Sequence, residues 1–319
     1  MQTIGFVISA KENEKRRALI PADMGSIKNS ASLFFESGYG EPLGYSDSDY
    51  TKMGANISSR KEAFSQGIVC SLKAPEETEM RLFGKGQTLF GWIHAVQAKD
   101  LTDMLVNKEM TAIAWESMFK DGKHVFWRNN QLAGEAAVLH ASLYAGRPLY
   151  ECKVAVLGNG NAARGAISIL EKLGAAITVY DIDTIGSLNG RIGSYDIIVN
   201  AVLWNVFNKD RIIYREDLKK MKPGSMIIDV SCNNAMEIET SRPTTIENPV
   251  YHVEGIAHYA VDHTPSLLWK AASISISRQI REYIDNMVEE KENDILKKAT
   301  VIKKGRILDP DIIKFQRRV

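Results

Sequence analysis

Lys153-Val-Ala-Val-Leu157, the turn Gly158-Asn-Gly-Asn-Ala-Ala163, the run from Arg164 to Leu173, and Ala176-Ile-Thr-Val-Tyr180 ending at Asp181 form the segment from which the architecture follows. The first piece is a continuous apolar run, the pattern of a strand buried on both faces. The Gly-Asn-Gly turn cannot continue it. The next run reads as a helix stopped by Gly174, and the fourth piece as a second strand. Strand, turn, helix and strand in that order make a βαβ unit, and βαβ units build parallel sheets.

The same turn carries chemistry. In Gly158-x-Gly160-x-x-Ala163 the first glycine permits the tight turn, the second lets the backbone approach a pyrophosphate, and the small third residue allows close helix–strand packing. The free N–H groups at the helix start, at Asn161 and Ala162, then face the phosphate charge. Asp181 ends the next strand, roughly 20 residues on, where an acid accepts hydrogen bonds from a ribose diol. Together they point to a dinucleotide. Asp181 repels a 2′-phosphate and so argues for NAD(H), although Arg164 or Arg191 can offset that repulsion.

Working outward, further strands are expected at Tyr195–Val202, Ser225–Val230 and Val250–Val253. Pro265 reads as the start of a long helix through Met287, returning the chain to the first domain. Upstream, Leu132, Ala136, Leu139, Ala141 and Leu143 predict a linking helix. Before it, apolar strands at Ile4–Ile8, Gln66–Leu72, Thr88–Ile93 and Met110–Trp115 alternate with helical patterns, and Pro21 suits a helix start. The expected class is α/β, with two Rossmann-like domains, both with parallel sheets. Residues 1–131, completed by helices from 270–319, form a substrate domain, and 132–269 a dinucleotide-binding domain.

Composition sets the limits. The chain has 319 residues, 45% hydrophobic and 25% charged, with a formal charge of +1, so neither disorder nor an electrostatic grip on nucleic acid or an anionic membrane is expected. The apolar runs are far shorter than the roughly 20 residues a membrane span needs, and the N-terminus lacks a secretion signal. Cys70, Cys152 and Cys232 form no CxxC, and His124, His140, His252 and His258 have no metal-ligand spacing. A cytoplasmic protein without a metal is expected.

Three residues in the first domain stand where predicted strands end: Arg16 after the first, Lys73 after the second, His94 after the third. Strand C-termini of a parallel sheet share one edge, so the three can converge there. Arginine can hold a carboxylate with two parallel hydrogen bonds, a lysine near a second cation gives up its proton more readily, and histidine titrates near neutrality. The set suits a 2-oxo acid or amino acid substrate. Taken singly, each also fits an ordinary surface or core position.

The whole chain resembles a known superfamily. Glu14-Lys-Arg16-Arg-Ala-Leu-Ile-Pro21 is similar to the E-x-R-x-A-L-x-P segment of alanine dehydrogenases, the nucleotide-binding subunit of transhydrogenase and saccharopine dehydrogenases. Leu72-Lys73-x-Pro75, Trp92-Ile-His94 and Ala133-Gly134 also match that group. Val261-Asp262-His263-Thr-Pro-Ser-Leu-Leu268 resembles a saccharopine dehydrogenase segment. The short chain, the Val156–Arg164 turn and the Gly305-x-Ile-Leu-Asp-Pro310 tail are most similar to the N5-(carboxyethyl)ornithine synthases. That resemblance implies condensation of pyruvate with the side-chain amine of ornithine (or lysine) using NADPH, with alanine or saccharopine dehydrogenase activity as the alternatives. It implies Arg16 and Lys73 as substrate-binding, Lys73 and His94 as acid–base groups, and Gly158, Gly160, Asn161, Ala162, Asp181 and Asp262 as cofactor-binding. It also implies a homo-oligomer. Alanine dehydrogenases carry a catalytic Asp where Asn233 stands in Asp229-Val-Ser-Cys-Asn233, which weakens the plain alanine dehydrogenase reading. A non-catalytic nucleotide module like the transhydrogenase subunit is the rival from another class.

Overall fold

The structure is a computed structural model describing residues 1–318. Two compact units divide it: Met1–Phe126 with Trp269–Val319, and Trp127–Leu268. Along the chain, the first unit begins with strands β1 (Ile4–Phe6), β2 (Leu33–Glu36) and β3 (Asn56–Ser58), with α1 (Asp47–Lys52) between the last two. Then come α2 (Arg60–Phe64), β4 (Ile68–Ser71), α3 (Glu77–Met80), β5 (Thr88–Gly91), α4 (Lys99–Asn107) and β6 (Thr111–Ala114). A small hairpin, β7 (Phe119–Lys120) and β8 (Lys123–His124), follows.

The second unit holds α5 (Trp127–Ser142), β9 (Lys153–Leu157), α6 (Asn161–Lys172), β10 (Ala176–Tyr180), β11 (Ile197–Asn200), β12 (Met226–Asp229), β13 (Val250–Val253) and β14 (Ile256–Tyr259). The chain returns to the first unit with α7 (Trp269–Val288), α8 (Asp294–Lys298), β15 (Thr300–Lys303), β16 (Arg306–Ile307) and α9 (Pro310–Phe315).

The first sheet runs β16-β15-β6-β5-β4-β1-β2-β3, parallel from β6 to β3, with β15 and β16 added antiparallel at the edge. The C-terminal segment therefore adds strands as well as the expected helices. The second runs β10-β9-β11-β12-β14-β13, parallel except for β13 at the edge. Both are α/β sheets of the expected kind.

Local chemistry accounts for the details. Every residue of β1 and β4 is buried, as the unbroken apolar runs require. Phe6 stacks on Phe35 with ring centroids 4.6 Å apart at the heart of the first core. A Cβ on Gly5 would lie 1.8 Å from the Ala63 carbonyl oxygen, so α2 sits directly on β1 because that position has no side chain. Some elements differ from their sequence reading. Pro21 opens a short 3-10 helix, Pro21–Ser26, rather than an α-helix. Thr264–Leu268 is likewise 3-10, and α7 begins only at Trp269. The linking helix starts earlier than its apolar pattern, at Trp127, because its first turn is polar.

Helices α5 and α6 touch backbone to backbone. A Cβ on Gly134 would stand 1.9 Å from the Ala162 carbonyl oxygen, and one on Gly165 1.9 Å from that of Gln131. No residue larger than glycine fits either place.

Candidate active site

In the first sheet β5, β4 and β1 are neighbours and parallel, so the loops leaving their C-terminal ends emerge side by side. These loops carry His94, Lys73 and Arg16. The three loops are neighbours; ring contact joins Arg16 to Trp92, and charge joins Lys73 to the Glu14–Arg16 pair.

Arg16 is buried, 4% exposed, and its Nε and Nη2 donate to the two carboxylate oxygens of Glu14 at 2.8 and 2.5 Å. Its backbone N–H donates to Glu14 Oε1 at 3.0 Å as well. The guanidinium lies 5.6 Å from the centre of the Trp92 ring, two residues before His94. Burial opposes the charge on Glu14, but the field and hydrogen bonds of Arg16, with the charge of Lys73, hold its carboxyl below the usual range. Lys73 is thus electrostatically joined to the Glu14–Arg16 pair.

Lys73 is half-buried, and its carbonyl accepts a 2.8 Å hydrogen bond from Ser71 Oγ. Ser71 and Gly91 are paired across β4 and β5, and a Cβ on Gly91 would stand 1.7 Å from the Ser71 carbonyl oxygen. The absence of a side chain at Gly91 brings the ends carrying Lys73 and His94 together. His94 is exposed rather than a core histidine, and its backbone adopts a left-handed φ of 50°. Glu116, beyond the end of β6, fixes that turn: its carboxylate accepts from Ile93 N at 3.2 Å and His94 N at 2.5 Å. Two successive N–H groups closing on one carboxylate form an anion-binding concavity filled from within the protein.

In the second unit the loops after β9, β10, β11, β12 and β14 leave the C-terminal edge of the sheet, where open α/β sheets bind ligands. Gly158 has φ 100°, and a Cβ there would meet the Ala201 carbonyl oxygen at 2.8 Å. Only glycine serves at this turn. Gly160 caps α6, yet a Cβ on it would find nothing within 4 Å. Protein packing does not require that glycine, and the space beside its backbone is open. Asn161 and Ala162 open the helix, where N–H groups lack helical partners. Ala163 is buried and small, as the close packing needs.

Asp181 follows β10 and is fixed in place. Its Oδ1 accepts from Thr184 Oγ1 at 2.7 Å, Thr184 N at 3.0 Å and Asp183 N at 3.1 Å. Those bonds, the Thr184 hydroxyl first, hold it below the usual carboxylate range. Asp262 follows β14 on the same edge, half-buried, with Oδ1 2.6 Å from Nδ1 of buried His263.

Some groups were not legible as site residues. Glu14 lies inside the quoted motif, but nothing in its spacing announces a two-point clasp on Arg16. Glu116 and Trp92 join the site only through tertiary contacts. On the second sheet, fully buried Asp229 and Glu237 share the Asn200 amide, which donates at 2.9 and 3.1 Å, and Asn233 Nδ2 donates to Glu237 at 3.2 Å. Burial, then the charge of Glu237, pushes Asp229 up to about 6.

Comparison with known proteins places this architecture. Residues 8–126 match the family described as alanine dehydrogenase/PNT, N-terminal domain, and residues 184–310 its C-terminal domain. The chain is 32% identical to N(5)-(carboxyethyl)ornithine synthase of Clostridium botulinum, over 88% of this chain and 93% of that protein. The chain belongs to the alanine dehydrogenase/PNT family. Alanine dehydrogenase 1 of Staphylococcus aureus is a more distant member, 25% identical over 95% of this chain and 94% of that one. Among solved structures, an L-alanine dehydrogenase superposes with a TM-score of 0.84 at 23% identity, covering 99% of both chains. Transhydrogenase from Sinorhizobium meliloti gives 0.80 at 19% identity, over 96% of this chain and 100% of that one. These two show the fold. Family membership makes the chain an NAD(P)-dependent oxidoreductase acting on amino-acid CH–NH groups. The C-terminal match begins after Asp181 and so does not include Gly158, Gly160 or Asp181. Among the described residues no helix is long and apolar enough to cross a membrane.

Proposed function

We propose that the chain is an NAD(P)H-dependent reductase that joins pyruvate to the side-chain amine of a basic amino acid, ornithine foremost, giving a secondary amine. The reading is supported by the placement of Arg16, Lys73 and His94 on loops after the neighbouring parallel strands β1, β4 and β5. Relatives named N(5)-(carboxyethyl)ornithine synthase match over most of the chain and support the choice of substrates.

The amine attacks the keto carbon, water leaves, and an imine results. Arg16, its Nε–Nη2 edge set by Glu14, orients the keto-acid carboxylate. Lys73 polarises the carbonyl, and His94 delivers the proton that the departing oxygen needs. A bound nicotinamide supplies the hydride that reduces the imine carbon. Holding the reactants in line accounts for several kcal/mol of the rate enhancement, about 7 or more in favourable cases.

Gly158, Gly160, Asn161, Ala162 and Asp181 would hold the dinucleotide, with Asp262 toward its nicotinamide end. Asp181 is ionised and accessible, which favours NADH over the NADPH that the resemblance implies. The expected setting is a cytoplasmic homo-oligomer.

The test offers purified protein NADH or NADPH with pyruvate plus ornithine, pyruvate plus lysine, pyruvate plus ammonia, and 2-oxoglutarate plus lysine. Fastest oxidation with pyruvate and ornithine is the expected result. Preference for ammonia or for 2-oxoglutarate moves the chain to alanine or saccharopine dehydrogenase chemistry, and no oxidation with any pair removes the reading.

A further inference from the structure

Arg17, next to Arg16, takes no part in the scheme above, although it is a charged residue only 4% exposed. Its side chain points to main-chain carbonyls. Nε donates to the Tyr39 oxygen, and Nη1 donates to the Arg16 oxygen at 2.8 Å, with the Glu14 oxygen at 3.5 Å. The guanidinium lies 5.2 Å from the centre of the Tyr39 ring. No carboxylate among the described residues pairs with it, since Glu14, the acid in this turn, is clasped by Arg16.

Two consequences follow. The first is mechanical. Arg17 ties the carbonyls of Glu14 and Arg16, the ends of the clasp, to the Tyr39 backbone, while its own N–H donates to Ser273 Oγ at 2.8 Å. Ile20 N donates to Ser277 Oγ at 3.1 Å, one helical turn along α7. Both serines are fully buried, so the turn is bolted to α7 where water cannot compete. The second is electrostatic. Arg17 stays protonated, whereas the charges that act on the Glu14 carboxylate are those of Arg16 and Lys73. A buried charge normally has a partner because desolvation is costly. Here the backbone carbonyls of Tyr39, Arg16 and Glu14 serve as that partner.

We infer that Arg17 is a positioning residue for carboxylate recognition: it holds the Glu14–Arg16 turn in its binding shape. The inference rests on the reading of Arg16 as the keto-acid anchor.

The test compares wild type with Arg17→Lys, Arg17→Met, Arg16→Lys and the Arg16→Lys/Arg17→Lys pair. The readouts are pyruvate KM, kcat, dinucleotide dissociation constant and Tm. Arg17→Met is expected to raise the pyruvate KM about 10- to 100-fold, with kcat and dinucleotide affinity within about twofold. Arg17→Lys keeps the charge but loses the planar fork, and a smaller KM rise is expected. It also serves if Arg17→Met does not fold. Because Arg17 acts through Arg16, the double variant should bind pyruvate no worse than Arg16→Lys alone. Unchanged KM in folded Arg17 variants, or full additivity with Arg16→Lys, overturns the inference while leaving the functional reading intact. A wild-type protein inert toward every keto acid and amine pair removes the functional reading, and this inference with it.

Discussion

Glu14 and Arg16, two residues apart, close on each other through three hydrogen bonds: two from the guanidinium at 2.8 and 2.5 Å, and one from the Arg16 backbone at 3.0 Å. The carboxylate thus fixes one edge of the guanidinium before any substrate arrives. Removing one partner of such a buried pair strands the other. Glu14→Ala is therefore expected to cost about 3–5 kcal/mol of stability, read as a fall in Tm or denaturant midpoint. A loss under 1 kcal/mol would mean that water reaches Arg16 and the pair is a surface one.

His94 should be separable from nucleotide binding, because the two lie on different sheets. His94→Ala is expected to lower turnover about 10²–10⁴-fold, as loss of a general acid–base group does, with dinucleotide affinity unchanged. Near-normal turnover would take His94 out of the chemistry.

Two of the buried carboxyls, Glu14 and Asp229, respond to pH in opposite senses. Glu14 has its pKa lowered in the fold, so its stabilisation is present above its ordinary value of 4.5 and is lost as pH falls through the lower folded value. Asp229 has its pKa raised to about 6 from 3.8, so its share is present below 3.8 and is lost as pH rises through about 6. In Tm measured against pH, Glu14→Gln should flatten the acid limb below pH 4.5, and Asp229→Asn should flatten the fall between about 4 and 6. Parallel curves for wild type and variant would refute the corresponding assignment.

Gly134→Ala places a methyl group 1.9 Å from the Ala162 carbonyl oxygen, and backbone cannot swing aside as a side chain can. The expected cost is at least about 1–3 kcal/mol, as for overpacking, with weaker dinucleotide binding because α6 carries Asn161 and Ala162. Gly160→Ala is the contrast. It meets nothing within 4 Å, so Tm should hold while dinucleotide affinity drops. Equal affinity in that variant would show that no phosphate approaches this backbone.

Asp181 sets cofactor preference in the proposed site. Replacing it with Asn should improve NADPH relative to NADH, measured as the ratio of their dissociation constants, because the charge facing a 2′-phosphate is gone. An unchanged ratio would put the ribose elsewhere.

Much of this was legible along the chain. Lys153–Leu157 and Ala176–Tyr180 are strands with the bounds their residues suggest, because an unbroken apolar run and a glycine turn act through local forces. The motif at Gly158 and the strand-end placement of Arg16, Lys73 and His94 are local in the same way. β2, β3, β14 and β15 went unread: they are short, and their pairing with strands distant along the chain, rather than their own residues, makes them strands. Pro265 misled because proline fits a 3-10 turn as well as a helix start.

Local pattern was enough for the α/β class, the Gly158–Ala163 turn between β9 and α6, and the residue types available for chemistry, since these depend on neighbours within a few positions. Tertiary structure alone decided that Glu14 is Arg16's clasp, that Glu116 holds the turn at His94, and that Gly91 and Gly134 are bare so backbones can touch. Each of those is a contact, and contacts at near-atomic distance depend on how whole elements pack, which no local pattern encodes.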